Sequence, residues 1–103
     1  MYKLNFFVPD SHLEIVKAAL FEAGAGKIGD YDSCCWHTLG TGQFRALEGS
    51  NPHIGNQGAV EQVDEYKVEL VCEDALIKEI IAALKASHPY EEPAYDVFRL
   101  EDF

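Results

Sequence analysis

Positive charge is the scarcest commodity in this chain: eight lysine and arginine residues stand against eighteen aspartates and glutamates, for a formal charge of −10. No basic cluster exists to neutralise phosphates, so nucleic acid and anionic membranes are excluded as partners. Long apolar runs are missing too. Nothing approaches the roughly 20 residues needed to span a bilayer, and Met1-Tyr2-Lys3-Leu4-Asn5 lacks the charged and hydrophobic regions of a secretory signal, so a cytoplasmic protein is expected. Cysteine is sparse and odd in number: three residues, two of them the adjacent Cys34 and Cys35. That count rules out a disulfide framework, and the spacing fails a zinc ribbon, which needs two separated ligand pairs. Cys72 closes an apolar strand pattern and reads as a small buried hydrophobe.

What is present suffices for one core. In 103 residues, 48% are hydrophobic and 12% aromatic, which predicts a single domain over residues 1–103 that folds without staples. Tyr2, Leu4, Phe6 and Val8 alternate as a strand that Pro9 closes. Ser11 and Glu14 form a capping-box pattern, and Leu13, Val16, Leu20 and Ala23 recur at helical spacing until Gly24. Ser33 to Leu39 and Gln43 to Leu47 predict two strands around a Gly40-Thr41-Gly42 turn. Glu61 to Cys72 is a further strand, and Asp74 is placed to cap a helix with the apolar stripe Ile77, Ile80, Ile81 and Leu84. Tyr95 to Leu100 is the last strand. Two β-α-β halves in series predict an α+β fold of the ferredoxin-like type, an antiparallel sheet with two helices on one face.

Gly24-Ala25-Gly26-Lys27-Ile28-Gly29 matches the dinucleotide fingerprint G-x-G-x-x-G. Its setting is wrong, because the glycines follow a helix instead of opening one. They predict a helix cap and a turn. No G-x-S-x-G elbow surrounds Ser50, and no complete catalytic set is visible, so a non-enzymatic chain is expected. Two enzymatic arrangements stay open: a Cys35 nucleophile whose thiolate His37 stabilises, and an active site assembled between subunits.

Three places carry candidate chemistry. The segment His88-Pro89-Tyr90-Glu91-Glu92-Pro93-Ala94-Tyr95-Asp96 packs an imidazole, three carboxylates and two phenols between a helix and a strand. Its prolines hold the backbone extended, so it is a stiff polar connector, and His88, Tyr90, Glu91, Glu92 and Tyr95 are its candidate ligand or interface residues. Cys35 and His37 fall two residues apart on one predicted strand face. With His88 they are the candidate ligands of a divalent metal, the one cofactor these residues leave open, although two side chains alone hold an ion weakly. Glu48 to Ala59 forms a long glycine-rich loop, a length that in a compact domain is usually functional or disordered, with an oligomer contact as open as a ligand site.

Five blocks in order, Gly26-Lys27-Ile28-Gly29-Asp30-Tyr31, Cys34, Gly40-Thr41-Gly42-Gln43-Phe44, Glu48-Gly49-Ser50-Asn51-Pro52-His53-Ile54-Gly55 and His88 to Asp96, resemble the YqfO family, relatives of NIF-three (NGG-interacting factor three). The resemblance runs over nearly the whole chain and corresponds to a PII-like or CutA-like domain that larger members carry between two halves of a metal-binding domain. It implies a stand-alone PII-like module, an oligomeric binding or regulatory role, and self-association, a homotrimer before a dimer. The dinuclear metal site and the hydrolase or cyclohydrolase activity attributed to larger members reside in the flanking halves and transfer to no residue here. A small CutA-like metal-binding protein is the alternative. Cys35 and His37 depart from a pattern of small polar residues, and Ala46 replaces a common proline.

Overall fold

The computed structural model describes all residues from Met1 to Phe103. Strand β1 (Tyr2–Pro9) leads to helix α1 (Leu13–Glu22), strand β2 (Trp36–Arg45), strand β3 (Val60–Cys72), helix α2 (Ile77–Ser87) and strand β4 (Tyr95–Arg99). The strands form one antiparallel sheet in the order β2-β3-β1-β4. This is the expected ferredoxin-like arrangement, and its cause is visible in the alternation along β1. Leu4, Phe6 and Val8 are fully buried on one face against Val16 and Leu20 of α1 and Ile80 and Leu84 of α2. Each such side chain contributes roughly 1.5–3 kcal/mol of burial. The apolar stripes on both helices therefore dictate which face of the sheet they cover. Cys72 is buried at the edge of that core as expected.

Both helix starts depart from expectation. A short 3₁₀ turn, Asp10–His12, precedes α1, and no side chain caps it. Ser11 Oγ is hydrogen-bonded with His12 Nδ1 at 2.8 Å, and Glu14 pairs with Lys17 at 3.1 Å, so neither half of the capping box forms. Asp74 opens a second 3₁₀ turn instead of capping α2. Its carboxylate is taken by the N-terminal ammonium and by Arg99, partners of full charge that outcompete a backbone amide.

The predicted hairpin around Gly40-Thr41-Gly42 is absent. β2 runs unbroken through it, pairing with β3 from Trp36 opposite Glu69 to Arg45 opposite Val60. Neither glycine leaves the extended region, and the true β2-β3 connection is the loop from Ala46 to Ala59. Gly42 serves space, not turning: a methyl on its Cα would overlap the Glu65 carboxylate from the neighbouring strand. The G-x-G-x-x-G segment behaves as its setting requires, with Gly24 and Gly26 at φ of 103° and 76° ending α1 and turning the chain.

The other sheet face carries no helix. Across it Trp36, Glu69, Asn5 and Asp96 form one cross-strand row, with Phe98 and Lys3 in the next. Trp36 and Phe98 are 60% and 56% exposed there. Asn5 is 7% exposed; its Nδ2 donates to Asp96 at 2.9 Å, while its Oδ1 is buried without a hydrogen-bond partner.

Candidate functional site at the Tyr90 cavity

At one end of the sheet β1 runs beyond the start of β4, leaving main-chain groups to satisfy. The Phe7 N–H donates to the Ala94 carbonyl at 3.2 Å, and the Phe7 carbonyl, on the same side, accepts from His88 Nε2 at 2.6 Å. The imidazole thus occupies a position that a longer ladder would fill with an amide. His88 Nδ1 accepts the Tyr90 N–H at 3.1 Å. A carbonyl only accepts and an amide only donates, so the ring is the neutral Nε2–H tautomer. Burial holds its pKa below 6.5, against the opposing pull of the Phe7 carbonyl, and His12 and His53 nearby add to the depression. His88 ends α2 and folds the connector back onto β1.

That folding carries Tyr90 to the centre of an aromatic cluster. Its ring lies 4.9 Å from His88, 6.1 Å from His53 and 6.4 Å from Phe44, and His53 meets His12 edge-on at 5.8 Å. Three of the chain's four histidines therefore gather at this end. The Tyr90 hydroxyl donates to Glu65 Oε2 at 3.4 Å. Burial raises the Glu65 pKa above 4.5, with the Tyr90 bond opposing it; the Tyr90 phenol is itself pushed up to about 12, by burial first and the adjacent carboxylate second. Gly42 is what lets the carboxylate lie flat on β2.

The glycine-rich loop closes the other side. Gly58 N–H donates to the Ala46 carbonyl at 2.7 Å, Gln57 to the Ser50 carbonyl at 2.8 Å, and Asn51 N–H to Glu91 Oε2 at 3.0 Å, the last joining loop to connector. Between β2, this loop and the connector lies a cavity of ≈ 430 Å³. Phe7, Phe44 and Tyr90 give it aromatic walls, and Glu65, Glu91 and Glu92 line it with carboxylates. Arg45 is the one cation among its lining residues and makes no ion pair with them. Ser50 also lines it, but its hydroxyl donates to the Leu47 carbonyl at 2.6 Å and has no base beside it. The equipment is that of recognition: aromatic faces, acceptors and a phenol.

Of the residues expected from sequence, Tyr90, Glu91 and Glu92 line this cavity. His88 lies behind it, spent on positioning. Tyr95 is not there: it packs half-buried against the core on β4, with Lys85 Nζ 5.8 Å from its ring centre. Cys35 lies just outside β2, which begins at Trp36, and packs half-buried against the core, while His37, opposite Val68, lies exposed and edge-on to Tyr66 at 5.3 Å. With both His88 nitrogens engaged, no group of three or more His, Cys, Asp or Glu side chains is arranged to hold a metal. Glu65, Gly42, Phe44 and Arg45 were not expected. The strand alternation places Glu65 on a strand, but only the β2-β3 register shows that its carboxylate lies over Gly42.

No family model matches the chain. Among curated proteins it is 53% identical over 98 residues to the "GTP cyclohydrolase 1 type 2 homolog" of Mycobacterium tuberculosis, covering 95% of this chain and 26% of that protein. The protein of the same name from Halalkalibacterium halodurans is 49% identical over 100 residues, 97% of this chain and 27% of that protein. Among solved structures, a Bacillus cereus protein related to NIF3 superposes with a TM-score of 0.84 at 40% identity, covering 98% of this chain and 26% of that one. CutA1 of Pyrococcus horikoshii covers 100% of this chain and 86% of its own at a TM-score of 0.69 and 22% identity, which shows a shared PII/CutA-like fold. The chain spans about a quarter of the length of the curated relatives it matches. Five blocks of sequence, the identity along nearly all of this chain and the superposition on a NIF3-related structure agree: the chain corresponds over nearly its whole length to one segment of NIF3/YqfO-family proteins, and it has the PII/CutA-like fold.

Proposed function

We propose that this chain is a non-enzymatic binding or regulatory module of the PII-like kind, a single domain that works as a cytoplasmic homotrimer and takes a small ligand in the Tyr90 cavity. The observation that carries the binding role is the cavity itself, in which the end of β2, the glycine-rich loop and the connector converge. Its charged and phenolic groups are three carboxylates, one guanidinium and a high-pKa phenol, without a nucleophile set beside a base. The cyclohydrolase name belongs to relatives of about four times the aligned length. Three free thiols suit a reducing compartment. Self-association is supported by the uncovered sheet face. Exposed Trp36 and Phe98 there, together with the buried, unpartnered Asn5 Oδ1, are what a second copy would cover and satisfy.

Native mass spectrometry with light scattering tests both parts. A mass of three times 11.5 kDa with a retained metabolite is the expected result. A monomer mass at micromolar concentration overturns the assembly. Replacing Glu91 and Glu92 together by Gln should weaken ligand retention and leave the melting temperature nearly unchanged, since exposed charges contribute little to folding. Stoichiometric zinc that disappears in a Cys35→Ser, His37→Ala variant would replace this reading with that of a metal-binding protein.

A further inference from the structure

We infer that the Tyr90 cavity selects an organic cation, a protonated amine on an apolar or aromatic body, with Glu65 as its principal counter-charge. The inference rests on the proposed binding role and names the chemistry of the ligand. Size comes first. A space of ≈ 430 Å³ lies within the range of small-molecule sites and exceeds what a bare metal ion needs. Charge comes second. Three carboxylates face one guanidinium around the space, and none of them is ion-paired. An anionic ligand would meet net repulsion, whereas a cation completes the balance.

The walls decide between a hydrated inorganic ion and an organic one. Phe7, Phe44 and Tyr90 line the space, and aromatic rings attract an alkylammonium group and accommodate its hydrocarbon body but replace no hydration shell. Glu65 is the carboxylate built for the head group. It is half-buried, its Oε2 accepts the Tyr90 hydroxyl, and Gly42 keeps the floor beneath it clear. A charged group removed from water without a cation is a costly arrangement in a fold. Glu91 differs, because the Asn51 amide already engages its Oε2, which places it at the rim.

The test is calorimetric titration of the full chain at pH 8 with three probes of similar size: phenethylammonium, 2-phenylethanol and 3-phenylpropionate. The amine should bind roughly tenfold or more tightly than the alcohol, the gain ordinarily given by a charge-assisted hydrogen bond, and the carboxylate should bind weakest. Glu65→Gln should erase the preference for amine over alcohol. That variant should melt at or above the parent temperature, because it removes a half-buried charge. Equal binding of amine and alcohol, or tighter binding of the carboxylate through Arg45, overturns the inference while leaving the cavity a binding site. An amine preference that survives Glu65→Gln overturns the assignment of that carboxylate. Failure of all three probes up to their solubility limits overturns the inference and the binding role together.

Discussion

Replacing His88 by Ala tests whether one imidazole holds the connector in place. The substitution deletes the donor to the Phe7 carbonyl at 2.6 Å and the acceptor of the Tyr90 N–H at 3.1 Å. At about 0.5–1.5 kcal/mol for each bond, with a further 1–3 kcal/mol for a carbonyl left without a donor, the expected loss is ~2–6 kcal/mol. For a chain this small that lowers the melting temperature by on the order of 10–30 °C. Urea unfolding at pH 8 reads the loss. His88→Gln, which keeps an amide donor for the Phe7 carbonyl, should recover part of it. The pH profile adds an independent readout. Because burial depresses the folded pKa below 6.5, the unfolded chain takes up a proton first as pH falls. The stability His88 supplies is complete above pH 6.5 and is lost as the pH drops through the lower, folded value. Glu65 has the opposite sign: its folded pKa is raised, so protonation in the acid range relieves its burial. The His88 slope is therefore cleanest in a Glu65→Gln background, where His88→Gln should flatten it. A loss under about 1 kcal/mol for His88→Ala, or an unaltered acid slope, would show that the connector is held by something other than this ring.

Two further outcomes are expected. Gly42→Ala should cost under about 1 kcal/mol, because the atoms it displaces are the mobile end of Glu65, yet it should weaken phenethylammonium binding as much as Glu65→Gln does; a large fall in stability with binding intact would refute the role given to this glycine. Cys72, with its thiol pushed up to about 11 by burial, should resist a thiol-specific disulfide reagent in the native protein at pH 8 while the half-buried Cys34 and Cys35 react; modification of all three at equal rates without denaturant would refute the packing at that edge of the core.

The parts of this molecule that were legible in its sequence are those governed by one chain segment at a time. Alternation in β1 and β3 and the stripes on both helices named the core, because burial on one face imposes a period that needs no knowledge of the partner. The misreadings share a different cause, competition from a distant residue. Asp74 has the chemistry of a helix cap, and it was drawn instead to an N-terminus and an arginine that arrive from β1 and β4. Gly40-Thr41-Gly42 has the chemistry of a turn, and it stayed extended because β3 offers a continuous ladder and Glu65 needs the vacant space.

The same distinction separates the halves of the candidate site. The connector declared Tyr90, Glu91 and Glu92 by its own composition, and the loop declared itself by length and glycine content. Glu65 carries no local signal. One acidic residue among several on a strand, it becomes the half-buried carboxylate of the cavity only because the β2-β3 register sets it opposite Gly40, one cross-strand step from Gly42. His88 shows the converse. Its company of prolines, carboxylates and phenols predicts a ligand, whereas the start of β4 beyond Phe7 leaves the Phe7 carbonyl needing a donor, and the imidazole is consumed in supplying it. A histidine with both ring nitrogens spent on main-chain groups cannot also bind a metal without releasing one of them. Its placement behind Tyr90 therefore turns the histidine most prominent in the sequence into the support of the site, and passes the recognition to the phenol, the rings and the carboxylates that it holds in position.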